Sequence, residues 1–134
     1  MPQASTELNS QYWEPVATGP VAQADVSSWA PLVPTSTIAA SGNFTSALVY
    51  ADGFKNIAAG VTSTQAGAIS IQRYIDKAGL IAQGAAVSTS LTASTPGVVN
   101  VNDGLPFQSF VLKITNTGAS PATITSFACL LNAA

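Results

Sequence analysis

The side chains able to do chemistry are few. The carboxylates are Glu7, Glu14, Asp25, Asp52, Asp76 and Asp103; the cations are Lys55, Arg73, Lys77 and Lys113; there is one thiol, Cys129, and no histidine. Glycosidic hydrolysis needs two carboxyls facing each other across a cleft. Asp52 and Asp103 could meet that way only through the fold, and each precedes a glycine, Gly53 or Gly104, in the manner of a tight turn. A Ser or Cys nucleophile lacks its usual base where histidine is absent. One cysteine and no histidine also leave no Cys/His metal site. Residues 100–104, Asn-Val-Asn-Asp-Gly, are oxygen-rich like a calcium loop but lack the later acidic ligand. Residues 60–67 hold no Lys-Ser or Lys-Thr step, so they form no phosphate loop. Asn43-Phe44-Thr45 fits the glycosylation triplet, a short pattern that recurs by chance and has no export signal beside it. This inventory predicts no enzyme, no metal and no cofactor. Cys129 sits in the apolar run 127–131 and is predicted to be a small buried hydrophobe.

The rest of the composition agrees with an inert surface. The 134 residues suit one domain with a real core. Only 10 are charged, where an average soluble chain of this length carries about 33. Ser and Thr total 29 and must supply much of the polar surface. A folded monomer of this size exposes roughly 6,500 Å², or about one charge per 650 Å², which suits a surface largely covered by neighbours. The net charge of −2 and the scattered cations give no basic footprint, so no nucleic acid is expected. No apolar stretch approaches the ~20 residues of a membrane span, so no membrane is expected either. The start, Met1-Pro2-Gln3-Ala4-Ser5-Thr6-Glu7, has neither the basic nor the apolar region of a secretory signal. The expectation is synthesis in a cytoplasm and use without secretion.

The elements that would position these residues are β-strands. Residues 1–41 contain five of the eight prolines and no clean period of 2 or 3.6. They are read as an extended N-terminal arm, and a cut at residue 41 is expected to leave a folded domain. That arm holds Tyr12, Trp13 and Trp29, which are predicted to anchor it to partner chains, because large aromatics dominate interface energetics. Residues 42–134 are read as a β-sandwich domain. Phe44, Ser46, Leu48 and Tyr50 share one parity, and Asp52-Gly53 marks a turn after them. Ile57, Ala59 and Val61 resume the alternation. Residues 67–77 read as a strand with Ile69, Ile71 and Ile75 on one face; a helix over 69–81 competes, but β-branched alternation favours the strand. Arg73 shares that face and is expected near the sheet's end or paired with Asp76. Residues 80–91 are small and apolar, with Gly84 at a bulge. Short strands follow at 98–101, 110–115 and 122–131, and Phe110, Leu112 and Ile114 are predicted to lie inward with Lys113 outward. The sum is an all-β chain: a single β-sandwich or jelly roll of about seven or eight strands with an extended arm.

The charge-poor β domain, the Pro-punctuated aromatic arm and the closing segment Phe110-Val-Leu-Lys-Ile-Thr-Asn-Thr-Gly-Ala-Ser-Pro-Ala-Thr-Ile together resemble small virion proteins of tailed bacteriophages, especially jelly-roll capsid decoration or cement proteins. The resemblance implies a structural virion protein that binds and stabilises the phage head, with the major capsid protein or other virion chains as partners. It also implies a symmetric homo-oligomer, a trimer first. Two alternatives stand beside it: a head-spike, tail or baseplate subunit, and a carbohydrate- or receptor-binding β-sandwich. Sugar binding would call for exposed aromatics beside carboxylates or amides, whereas both tryptophans lie on the arm.

Overall fold

Alternation of aliphatic with small polar residues commits most of this chain to strands that bury one face. A computed structural model describes residues 23–133, and these form ten strands and no helix. The strands are β1 (Gln23–Asp25), β2 (Thr37–Ile38), β3 (Asn43–Thr45), β4 (Val49–Tyr50), β5 (Asn56–Ser63), β6 (Gly67–Tyr74), β7 (Val87–Leu91), β8 (Gly97–Val101), β9 (Ser109–Asn116) and β10 (Ala122–Asn132). One sheet runs β1-β10-β5-β8 with β2 also on β10; the other runs β3-β9-β6-β7 with β4 also on β9. Every pairing is antiparallel. The result is a β-sandwich. Because β1 and β2 share the free side of β10, and β3 and β4 that of β9, the ten segments fill eight positions.

The core lies between the sheets, where the expected parity holds best on the long strands. Ile57, Ala59 and Val61 of β5, Ile69 and Ile71 of β6, and Phe110, Leu112 and Ile114 of β9 are buried, while Lys113 is exposed. Cys129 of β10 is buried among them as a hydrophobe. At the start of β6 the strands come so close that a Cβ on Gly67 would lie 1.8 Å from the Thr115 carbonyl oxygen. Only glycine can open this strand against β9.

Four expectations need correction. First, residues 23–41 do not stand apart from the domain. They supply β1 and β2, and Val26, Leu32 and Ile38 sit in the core with at most 3% exposure. The prolines remove local periodicity but not burial: tight turns at 26–33, with Trp29 and Val26 carbonyls accepting backbone N–H bonds, fold the segment against β10. Second, β3 and β4 are not one continuous strand. Pairing moves from Thr45↔Lys113 to Val49↔Phe110, which leaves one extra residue on this side, and the Ser46 hydroxyl accepts the Leu112 N–H at the break. The bulge reverses the parity, so Val49 is buried rather than Leu48 or Tyr50. Third, Asp52-Gly53 turns the chain with φ of 49° and 97°, yet it closes no hairpin. It carries the chain from the second sheet to the first. Fourth, the strand over 67–77 stops at Tyr74, and residues 80–86 are irregular and mostly exposed, with strand only from Val87.

Two outcomes are expected in chemical denaturation. Leu112→Ala should lower stability by about 2–5 kcal/mol, because the site is fully enclosed, and Lys113→Ala should stay within about 0.5 kcal/mol. Deletion of residues 1–41 should abolish cooperative unfolding, since it strips two strands and three core side chains.

Candidate interaction surface

The strand directions sort the loops into two chemically opposite ends. Residues 39–42, 64–66, 92–96 and 117–121 lie at one end and contain no charged side chain. Residues 51–55, 75–86 and 102–108 lie at the other. Eight charged residues are described, and six of them (Asp52, Lys55, Arg73, Asp76, Lys77 and Asp103) belong to these loops or to the strand end that feeds them. In a chain this poor in charge, the charged side chains are thus mostly gathered at one end of the sandwich.

Arg73 organises this end. It faces inward near the end of β6 and is only 3% exposed. Its guanidinium donates to both Asp103 carboxylate oxygens at 2.7 Å and stands 5.6 Å from the centre of the Phe107 ring. Phe107 in turn meets Phe110 edge-on, with ring centres 6.4 Å apart. Of the two expectations for Arg73, its place near the sheet's end holds, while the pairing with Asp76 does not form. An inward-pointing guanidinium reaches across to the loop after β8, whereas Asp76 already serves its own turn. The Asp103 hydrogen bonds from Arg73, then the Leu105 N–H, lower its pKa from 3.8 to about 2, against a small opposing effect of burial. The pair is lopsided: Arg73 is enclosed, but the Asp103 side chain is 45% exposed and meets water on its far side.

Asp76 shapes a protruding loop. Its carboxylate accepts the N–H groups of Ile81 and Leu80 at 2.8–2.9 Å, which holds its pKa below the usual range. Gly79 allows the turn with φ of +75°. The loop is tied to its neighbour by Gln83, whose side chain donates to the Pro106 carbonyl, and by Gln108, whose side chain donates to that of Ile75. The backbone is thereby fixed from inside while the apolar side chains turn outward. Leu80 is 82% exposed, Ile81 55%, Leu105 47% and Ile75 42%. Six large hydrophobics are exposed among the described residues, and four of them share this loop pair. Nothing in local sequence distinguished Leu80 and Ile81 from core residues. The only available signal was their position directly after a turn, Asp76-Lys77-Ala78-Gly79.

Of the sequence-predicted anchors, Trp29 is half-buried against the core of its own domain. Tyr12 and Trp13 lie outside the described residues, as do Glu7 and Glu14. Asp25 accepts the hydroxyl and N–H of Ser27, which lower its pKa. Burial pushes the Cys129 thiol up to about 12, with a smaller push from the charge of Asp25.

No protein-family model matches the chain, and no curated protein matches it. Among solved structures, the enzymatically active domain of tailspike protein 4 of bacteriophage CBA120 aligns over 87% of this chain with 14% identity and a TM-score of 0.48. This chain spans 18% of that one. PirA aligns over 92% of this chain and 99% of its own, with 13% identity and a TM-score of 0.42. Neither likeness assigns an activity.

The ion pair gives an ordered prediction. Asp103→Ala strands a buried cation, whereas Arg73→Met fills the same space without charge, so Asp103→Ala should lower the melting temperature more. Asp103 binds its proton more weakly when folded, so its contribution is full above about pH 4 and fades as pH falls towards 2. The pH dependence of melting over that window should flatten in Asp103→Ala. Cys129 should resist a disulfide reagent at neutral pH until the protein unfolds, because the thiolate is the reacting form.

Proposed function

We propose that this chain is a non-catalytic structural module that attaches to other protein chains of a virus particle, as a capsid decoration or cement protein does. The observation that carries the reading is the preorganised loop pair bearing Ile75, Leu80, Ile81 and Leu105. A braced apolar projection beside one ion pair and a few charges of both signs has the anatomy of an interface centre and rim, in which a few well-placed side chains supply most of the binding energy. Asp76 and Arg73 fix the backbone before any partner arrives, so little ordering cost falls on binding. The six charges at this end sum to zero and form no cationic rim, which favours an aliphatic groove in a protein over an anionic lipid surface.

Two further observations support the virion setting. The resemblance to phage decoration proteins rests on the charge-poor β domain, the aromatic N-terminal arm and the closing segment from Phe110, and the orders β1-β10-β5-β8 and β3-β9-β6-β7 interleave distant strands as jelly rolls do. The uncharged opposite end can approach a second copy without burying unpaired charge, which suits a closed oligomer such as a trimer.

The test is attachment. The full chain carrying Leu80→Asp and Ile81→Asp should stay folded at assay temperature, because both side chains are more than half exposed, yet occupy particles lacking this subunit at least about tenfold less well. Undiminished occupancy would move the binding face elsewhere on the molecule. Sedimentation across micromolar concentrations reads the oligomer, and a strict monomer throughout would remove the trimer.

A further inference from the structure

The outer face of the first sheet carries a row of carboxamides that the assembly reading does not use. Gln23 stands opposite Asn132, and Asn132 stands opposite Asn56, across three adjacent strands. The neighbouring residues Leu131 and Ile57 point into the core, so these three side chains face outward. One row further, Asn100 stands opposite Ala58, which is itself opposite Leu130. Asn102 follows the end of β8. The five amides line a shallow groove of about 260 Å³ with Ala58 and Leu130 between them.

The concentration is specific to this place. Five of the nine residues lining the groove are Asn or Gln, against 14 of 134 in the whole chain. Hydroxyl-bearing residues such as Thr62 and Ser126 on the same sheet, and Ser88 and Ser90 on the other, share the remaining outward strand positions with Val98, Ala128, Gln72 and Lys113, so no second row of adjacent amides forms there among the described residues. A carboxamide offers two donors and two acceptor sites in one plane. Asn56 and Asn132 also keep partners within the chain. No charged side chain lines the groove.

We propose that this groove binds a neutral glycan, its amides pairing with adjacent hydroxyls of a pyranose while Leu130 and Ala58 meet the ring's C–H face. Each hydroxyl both donates and accepts, as each amide does, so the match needs no charge. A peptide strand fits less well: the groove lies on a sheet face, where backbone groups are already paired, and strand addition requires an edge. The surface is shallow and lacks an aromatic platform, so a dissociation constant on the order of 1 mM is expected.

The test is an NMR titration of the full-length ¹⁵N-labelled protein with neutral trisaccharides built on glucose, galactose and N-acetylglucosamine, to about 10 mM each. The side-chain NH₂ signals of Gln23, Asn56, Asn100, Asn102 and Asn132 should move with at least one of them. The remaining signals, those of Gln23, Asn56 and Asn132, should stay still in Asn100→Ala/Asn102→Ala, with Asn100→Ser as the milder variant should the double one melt early. The Leu80→Asp/Ile81→Asp protein should respond as the wild type does, so loss of the attachment reading would leave this one intact. Still amide signals with all three sugars would overturn the proposal. So would shifts that persist in the groove variants, or equal shifts with trialanine, which would make the groove a peptide site.

Discussion

The pairing of β10 along both its sides is the constraint on which the rest depends. Its backbone groups bond β5 on one side and β1 and β2 on the other, and a central strand left half-paired would bury unsatisfied N–H and C=O groups at a steep cost. The beginning of the described chain is therefore locked to its end. A second device secures the same closure. Asn116, buried at the end of β9, donates its side-chain NH₂ to the carbonyls of Ile38, Ala39 and Ser120 and accepts the Gly118 N–H. A fully satisfied buried amide fixes geometry where an apolar residue would only fill space. It stitches the segment before β3 onto the β9–β10 turn.

This closure produces both candidate surfaces. It sets Gln23 beside Asn132 and so completes the amide row across three strands. It also leaves β6 and β9 free to deliver Arg73 and Phe110 to the far end, where the guanidinium reaches the loop after β8 and braces it. The loops there are held by side-chain bonds to backbone, from Asp76, Gln83 and Gln108, and by one ion pair under an aromatic ring. Charge is spent on holding loops still, and the apolar side chains they carry are left facing water.

Under these proposals, different surfaces take different roles: the end with charge and exposed aliphatics meets another protein, the opposite end with its Ser, Thr, Ala and Gly meets a second copy, and the amide groove takes a neutral polar ligand. The groove and the apolar loop pair lie at the same end of the sandwich, on and beyond different sheets. A module seated by one could therefore present the other, and their variants separate the two roles.

The sequence alone determined the fold class and the strongest strands. Alternation in β5 and β9 is local information: the pleat sends every second side chain inward, so Ile57, Ala59, Val61, Phe110, Leu112 and Ile114 declare their faces. The apolar run 127–131 likewise located Cys129 in the core. Tertiary structure decided everything that depends on distant residues meeting. Val26, Leu32 and Ile38 are buried without any period to announce them, because β10 offers them a surface. Arg73 chose Asp103, thirty residues away, over the nearby Asp76, because the strand points it inward and the turn had already claimed the nearer carboxylate. Leu80 and Ile81 face water for the complementary reason: residue type sets a preference for burial, but only the completed packing decides which apolar side chains find a core and which remain outside it.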